Sequence, residues 1–185
     1  MIDQTQGAKL VHYIGTYGKI KALKTFITRF DMDLAATDMH GQTIVHYAAR
    51  RGELNMLKYL NEIGPERNVT LQMENAHGLA PIMYTMLNQK VYSFIYLYFK
   101  QNCELSKDSV TWATTHMVRQ STETDIIQLL LHDTKLGHIV AKEALENSVE
   151  TGNVQVLKVV LKRLTAVDPK NLLNIVRIEK LKELA

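Results

Sequence analysis

Histidine and cysteine are the side chains of this sequence that could carry chemistry, as metal ligands, general bases or nucleophiles. The chain holds seven histidines and one cysteine, Cys103. His46 follows His12 by 34 residues, and His116 follows His46 by 70. A metal or catalytic site is built once, whereas a residue that recurs along the chain does the same work at each recurrence. We therefore predict that these three histidines are structural, with ring nitrogens hydrogen-bonded inside the fold.

His40 and His77 invite a metal interpretation, because they precede Gly41 and Gly78 by one residue each. Stacked helical elements lie about 8–10 Å apart, whereas one metal ion needs its ligand nitrogens at about 2 Å. Two histidines on neighbouring elements are therefore expected to lie too far apart to share an ion. We predict that both are exposed and contact a partner.

Cys103 raises the question of a nucleophile. A reactive cysteine needs an activating base and oxyanion donors around one cavity, and the spacing around Cys103 supplies neither. The sequence also lacks glycine-rich phosphate loops and the H-E-x-x-H, G-x-S-x-G and paired C-x-x-C motifs. We predict no catalytic residue, no metal ligand and no cofactor, and hence a protein that is not an enzyme.

Composition narrows the class of protein. With 46% hydrophobic residues among 185, the chain can bury a sizeable core. The net charge of +3 is mild and no four basic residues are consecutive, which argues against nucleic acid as the partner. The single cysteine favours a reducing compartment. Neither a secretory signal nor an apolar run of the about 18 residues that span a membrane is present. We expect a cytoplasmic or otherwise intracellular protein.

An internal repeat organises the elements that must position these residues. The stretch GAKLVHYIGTYGKIKAL from Gly7 matches GQTIVHYAARRGELNML from Gly41 without a gap, at a spacing of 34 residues. A third unit follows after 37 residues, with Gly78 in the place of Gly41, and two weaker units come after it. Each unit is read as two short helices joined at a glycine such as Gly52, where a left-handed residue costs least. One helix pair cannot bury its own apolar face, so we predict an all-α solenoid of stacked pairs.

The second unit has the pattern D-x-x-G-x-T-x-x-H-x-A-A-x-x-G, and by this pattern the sequence resembles the ankyrin-repeat family. The residues that carry it are Asp38, Gly41, Thr43, His46, Ala48, Ala49 and Gly52. The resemblance covers most of the chain, with departures. The third unit has Met83 where the family prefers histidine and Gln89 where it prefers glycine. The fourth unit has Thr111 and Thr122 in place of both glycines.

We predict a single ankyrin-type domain over residues 1–185. Its repeats span about 4–37, 38–74, 75–107, 108–137 and 138–167, and a partial capping unit spans 168–185. In that unit Asp168 is expected as N-cap and Pro169 as the first helical residue. Pro65 predicts a loop between the second and third units. The stretch YSFIYLYFK alternates like a strand, but its register predicts an outer helix with an aromatic face.

The resemblance implies roles for two sets of residues. The repeated histidine would hydrogen-bond backbone groups of its own and the adjacent unit. A partner would be bound on the concave face, formed by the fingertips and the first helix of each unit, where residues vary while scaffold positions recur. The predicted partner-binding residues are Tyr17, Met39, His40, Gln42, Arg50, Arg51, His77, Leu79, Leu87, Asn88 and Trp112.

Trp112 has two interpretations. Counting along the chain places Trp112 and Lys142 directly after the finger-glycine positions of the fourth and fifth units. There Trp112 would form an apolar centre with Leu79 and Leu87, since interface centres favour tryptophan. Trp112 could equally fill the core of the degenerate fourth unit, and both interpretations stay open.

These observations favour a protein–protein interaction module, such as a scaffold or adaptor that binds another protein or a peptide. We expect no small-molecule substrate. A substrate-targeting or regulatory domain of a longer enzyme is the alternative, and nucleic-acid binding is a lesser one. Divergent repeats with a single cysteine also resemble ankyrin-bearing effectors of intracellular bacteria, which are delivered into a host cell, as well as eukaryotic adaptors. The sequence does not separate these two sources.

Overall fold

A computed structural model describes residues 7–167 of the chain. The described residues form ten α-helices and contain no β-strand, which confirms the predicted all-α class. The helices are α1 (Leu10–Thr16), α2 (Ile20–Phe30), α3 (Ile44–Arg51), α4 (Leu54–Ile63), α5 (Pro81–Leu87), α6 (Val91–Ile95), α7 (Lys107–Gln120), α8 (Asp125–Leu131), α9 (Gly137–Thr151) and α10 (Val154–Val167). None of them is long and apolar enough to cross a membrane.

The chain divides into two compact units, Met1–Glu104 and Leu105–Ala185, and each is described by itself. The prediction of one domain over 1–185 therefore stays a prediction. The partial capping unit predicted over 168–185 lies outside the described residues.

The first unit contains three helix pairs, α1 with α2, α3 with α4 and α5 with α6. Helix α3 packs against both α1 and α5, so the three first helices form one row. Leu23, Leu57 and Phe94 occupy corresponding positions in the second helices, and all three are fully buried. Their spacings of 34 and 37 residues are those of the sequence repeat. Stacking therefore buries the face that a single pair would leave exposed, as predicted.

The junction between the two helices of a pair requires a left-handed residue. Gly52 follows α3 with φ of 78°, and its amide caps the helix by donating to Ala49 O. A Cβ at Gly52 would also lie 2.9 Å from Cδ of Lys90, so the Lys90 side chain would have to move to admit one. In the third pair the corresponding residue is Gln89, which adopts φ of 53° despite its side chain.

The aromatic stretch after Lys90 is helical, as its register predicted. Helix α6 continues into one turn of π-helix over Tyr96–Lys100. Phe94 and Leu97 are fully buried, whereas Tyr92 is 79% exposed. The loop predicted at Pro65 contains a short 3-10 helix over Pro65–Arg67.

The second unit contains two helix pairs with longer first helices. Helices α7 and α9 have 14 and 15 residues, against 7 or 8 in the first helices of the first unit. Helix α7 packs along α9, and α8 contacts both α9 and α10. Ser106 starts α7 early by accepting a hydrogen bond from the Ser109 amide at 3.1 Å.

The finger turns predicted in the fourth and fifth units were wrong, because α7 and α9 begin before those turns. No glycine interrupts α7 or α9 after its first residue, so both helices run through the predicted turns. Trp112 and Lys142 consequently lie inside α7 and α9 and not at fingertips.

Candidate partner-binding surface

The second finger loop, residues 38–42, is held by one carboxylate. Asp38 Oδ1 accepts hydrogen bonds from the amides of His40 and Gln42, both at 2.8 Å. Asp38 Oδ2 accepts the hydroxyl of Tyr47 at 2.8 Å. Burial by itself would raise the pKa of Asp38, but the hydrogen bonds from Gln42, Tyr47 and His40 outweigh it and lower that pKa. The carboxylate is therefore ionised and fully engaged within the loop.

The third finger loop, residues 75–79, repeats this arrangement with an amide. Asn75 Oδ1 accepts from the amides of His77 and Leu79 at 2.9 and 3.0 Å. Asn75 Nδ2 donates to the hydroxyl oxygen of Tyr84 at 2.9 Å. The sequence pattern singled out Asp38, but these two tyrosine bonds were missed. The signal was present, because Asn75 and Tyr84 each follow Asp38 and Tyr47 by the same 37 residues.

A backbone hydrogen bond ties the two fingertips together. The amide of Ala76 donates to the carbonyl oxygen of His40 at 2.9 Å. The rings of His40 and His77 are consequently 5.7 Å apart between centroids. The expectation that neighbouring fingertips lie too far apart for these two histidines to converge was therefore wrong, because loops can approach more closely than the axes of packed helices. His77 is exposed and His40 half-buried.

The repeated histidine is structural at two of its three predicted places. His46 and His12 are fully buried. Nδ1 of His46 accepts from the Thr43 amide, and Nε2 donates to the carbonyl of Leu79, both at 3.1 Å. His12 bonds the Lys9 amide and the Ala36 carbonyl in the same way, at 2.8 and 2.9 Å. Burial lowers the pKa of His12, and it lowers that of His46 to about 4, so both rings are neutral.

His116 does not share this role, and its prediction was wrong. It is half-buried, and its Nδ1 bonds the carbonyl of Trp112, four residues earlier in the same helix, at 2.9 Å. Because α7 begins at Lys107, His116 lies well inside the helix and not at its first turn.

Arg50 is positioned by three neighbours on the inner row of helices. Its Nη2 donates to Oε1 of Gln42 at 2.7 Å. Its Cζ lies 4.9 Å from the centroid of the Tyr84 ring and 5.5 Å from that of Tyr47, within the range of cation–π attraction. The ion pairs found among the described residues, such as Arg67–Asp31 and Arg119–Glu150, do not involve Arg50. The guanidinium is thus held by neutral groups alone.

Gln42 was predicted to contact a partner, but in the structure it supports Arg50. The residue is only 4% exposed, and its side-chain oxygen accepts the hydrogen bond from Arg50. Other predicted contacts of the first unit are accessible: Tyr17 is 58% and Met39 64% exposed. Fully or partly exposed as well are His40, Arg51, His77, Leu79, Leu87 and Asn88.

Trp112 belongs to the second unit and is not core. It is 37% exposed and packs its ring against His116, with centroids 4.1 Å apart. The structure therefore decides against the core interpretation. The apolar centre predicted from Leu79, Leu87 and Trp112 stays a prediction.

Cys103 lies in a setting that disfavours reactivity. It is buried, and burial raises the pKa of its thiol to about 11, which keeps the nucleophilic thiolate scarce. It borders a cleft of about 250 Å³ in the first unit, whose described lining contains no histidine or carboxylate to act as a base. The lining residues are Asn61, Pro65, Val69, Thr70, Leu71, Gln72, Gln101 and Cys103. Among residues 7–167, no group of three potential metal ligands comes together.

Comparison with known proteins identifies the fold. No family model matches the chain. The structure is similar to the human ASB11 ankyrin repeat domain, with a TM-score of 0.57, 15% identity, and coverage of 84% of this chain and 69% of that one. It is also similar to a chain in the complex of the Bd0816 predatory endopeptidase from Bdellovibrio bacteriovorus with immunity protein Bd3460. That match has a TM-score of 0.53, 16% identity, and coverage of 85% and 82%. The chain has an ankyrin-like repeat fold, as the sequence pattern predicted.

Proposed function

We propose that this protein is a protein–protein interaction module that binds a partner protein or peptide through its first unit. The binding face is called the finger surface here. It comprises Tyr17, Met39, His40, Arg50, Arg51, His77, Leu79, Leu87 and Asn88. The observation that carries the proposal is Arg50, a half-buried cation that three neutral side chains hold in one place, with no carboxylate partner in the part of the chain that the structure describes.

Repetition and variation separate the scaffold from this surface. The Asp38–Tyr47 bond is repeated as Asn75–Tyr84, because stacking requires the same loop in both units. The finger surface does not repeat: Arg50 corresponds to Thr16 in the first repeat and to Leu87 in the third. Variation on a fixed scaffold is what a particular partner would require.

The chemistry of the surface supports a protein partner. Arginine, methionine and tyrosine are enriched in protein interfaces, and the finger surface offers all three. The fold neighbours add support, since one of them comes from a complex between an endopeptidase and an immunity protein. We propose Trp112 as a further contact in the second unit, since it is exposed.

Photo-crosslinking from the surface tests the proposal. A crosslinking amino acid at Met39 should capture a partner in cells that produce the protein, whereas the same residue at exposed Tyr92 of α6 should not. The captured protein is then purified and its binding measured. Arg51→Glu should slow its association, because rim charges act mainly on the encounter rate.

Matched variants decide the outcome. Lys58→Glu makes the same charge change at an exposed site on α4 and should leave binding unchanged. Leu79→Ala should weaken binding by about 1–2 kcal/mol with an unchanged melting temperature. The proposal is refuted if Arg51→Glu and Leu79→Ala bind as the parent does while Tyr92→Ala abolishes the complex.

A further inference from the structure

We propose that Arg50 is a carboxylate receptor, so that the partner presents an aspartate or glutamate side chain flanked by apolar residues. This inference rests on the proposed function and adds the chemical class of the partner. It follows from the contacts of the guanidinium and from the charged and apolar residues of the finger surface.

The guanidinium is prepared to accept an anion. It carries five N–H donors in a rigid fork, and the Gln42 bond engages Nη2. The Tyr47 and Tyr84 rings restrict its position, so little side-chain entropy remains to be lost on binding. A partly desolvated cation gains most from a charged acceptor, and the chain offers it neutral oxygens, those of Gln42 and of the Tyr84 hydroxyl.

No acid of the finger surface competes for Arg50. Asp38 acts electrostatically on Tyr47 and Tyr84, the two tyrosines that contact Arg50. Both of its oxygens, however, are engaged by two amides and the Tyr47 hydroxyl. The nine finger-surface residues include two arginines and two histidines and no aspartate or glutamate. The surface therefore complements an acidic segment.

The arrangement favours a carboxylate over a phosphate. Phosphate groups on proteins are typically bound by clusters of arginine. Arg50 and Arg51 are consecutive in α3 and so point to different sides of the helix. A single guanidinium fork matches the two oxygens of one carboxylate. Half-buried Leu79 and Leu87, together with exposed Met39, offer apolar contacts for the residues around it.

A display library of random peptides, selected on the full chain and counter-selected on Arg50→Gln, tests the inference. The selected peptides should share an aspartate or glutamate between apolar residues. Arg50→Gln should weaken their binding about tenfold or more. Changing the peptide's acid to its amide should cost the same factor, and combining both changes should cost no more than either alone.

Two further variants keep the test independent of folding. Arg50→Lys preserves the charge but removes the fork, so it should recover only part of the affinity. Arg29→Gln removes a matched, exposed arginine from α2 and should leave binding unchanged. Thermal unfolding of each variant should remain close to that of the parent.

The outcomes separate this inference from the proposed function. Peptides that lose binding with Leu79→Ala but bind Arg50→Gln as tightly as the parent would overturn the carboxylate receptor and leave the finger surface intact. Selection of phosphopeptides alone from a phosphorylated library would also overturn it. Failure of every finger-surface variant to change peptide binding, or a selection that yields no binder, would count against the proposed function itself.

Discussion

At the scale of the residue, the buried imidazoles hold neighbouring repeats together only while they are neutral. Nδ1 of His46 accepts a backbone N–H and Nε2 donates to a carbonyl. A proton on Nδ1 would face the Thr43 amide and remove that bond. Burial favours the same neutral form and lowers the pKa to about 4. The neutral ring therefore links two backbone groups, one as an acceptor and the other as a donor.

Replacing His46 should destabilise the folded protein. We expect His46→Ala to lower the free energy of unfolding by about 2–4 kcal/mol, because two buried backbone groups lose their partner. The matched change His116→Ala should cost about 1 kcal/mol or less, since that half-buried ring bonds one carbonyl of its own helix. Urea denaturation of both variants measures the difference. Equal losses would show that His46 contributes only its packing.

The lowered pKa also makes stability depend on pH. Unfolded histidine binds a proton near pH 6.5, whereas folded His46 binds one only near about 4. The unfolded state thus takes up more protons between these values, and stability falls as pH falls. Between pH 8 and 5, this residue alone should cost about 2 kcal/mol, and burial of His12 acts in the same direction.

Denaturation at pH 8 and at pH 5 checks this sign. His46→Gln cannot take up the proton and should lose less stability between the two conditions than the parent does. Asp38 should not add to the difference in stability between pH 8 and pH 5. Its pKa is lowered in the folded state, so the stability that its ionised form contributes is lost only below about pH 4. A parent protein equally stable at both pH values would contradict the neutral assignment.

At the scale of the element, each finger loop is closed by one side chain that serves two amides and a tyrosine. Asp38 and Asn75 achieve this with different second atoms, an oxygen that accepts and a nitrogen that donates. The tyrosine hydroxyl can do either. The loop therefore requires the shape of the side chain more than its charge.

Because Asp38 and Asn75 close their loops in the same way, we expect replacement of Asp38 by asparagine and by alanine to differ in cost. Asp38→Asn should cost about 1 kcal/mol or less, because the new amide can bond Tyr47 as Asn75 bonds Tyr84. Asp38→Ala should cost about 2–4 kcal/mol by leaving all three donors unmatched. Asp33→Ala is the control, since exposed Asp33 accepts one amide, that of Ala35. If Asn and Ala at position 38 prove equally destabilising, the carboxylate charge itself stabilises the loop.

In the turn after α5, by contrast, we expect a substitution to stabilise the protein. Gln89 adopts φ of 53°, and its two buried amide atoms have no hydrogen-bond partner within residues 7–167. Gln89→Gly should raise the free energy of unfolding by about 1 kcal/mol, because it relieves the left-handed strain and removes unmatched polar atoms. Gly52→Ala at the corresponding turn should be destabilising, since Gly52 adopts φ of 78° and the new Cβ would also displace the Lys90 side chain. A loss of stability in Gln89→Gly would indicate that the amide has a partner worth seeking.

At the scale of the whole molecule, the two units differ in the structure of their repeats. The first unit has short first helices preceded by hydrogen-bonded fingers, and the second has long first helices that occupy the finger positions. The finger surface is accordingly built from the first unit. In this unit the rings of His40 and His77 lie close enough together to raise the question of a shared metal ion.

We expect the purified protein to carry no stoichiometric transition metal. His40 and His77 bring two rings within 5.7 Å, but the described residues supply no third ligand to them, and stable sites use three or four protein ligands. Elemental analysis and a zinc titration measure this. One zinc per chain that is lost in His40→Ala and His77→Ala, but kept in the exposed control His138→Ala, would overturn the expectation.

The sequence by itself determined the repeated scaffold. Stacking imposes the same constraint on every unit, so the glycine turns, the buried histidines and the core positions of Leu23, Leu57 and Phe94 recur and can be read by counting. The ankyrin-like fold followed from the pattern of the second unit. Helix boundaries were wrong where the pattern weakened: Thr111 replaces the finger glycine of the fourth unit, and α7 runs through that position and includes Trp112.

The tertiary structure alone decided which variable side chains support others and which are free to bind. Gln42 and Arg50 both stand at variable positions, yet one is buried as the acceptor of the other. The close approach of His40 and His77 depends on a backbone bond between loops, which no spacing along the chain records. Periodicity reports constraints shared by all units, whereas these contacts arise once, between particular neighbours in space.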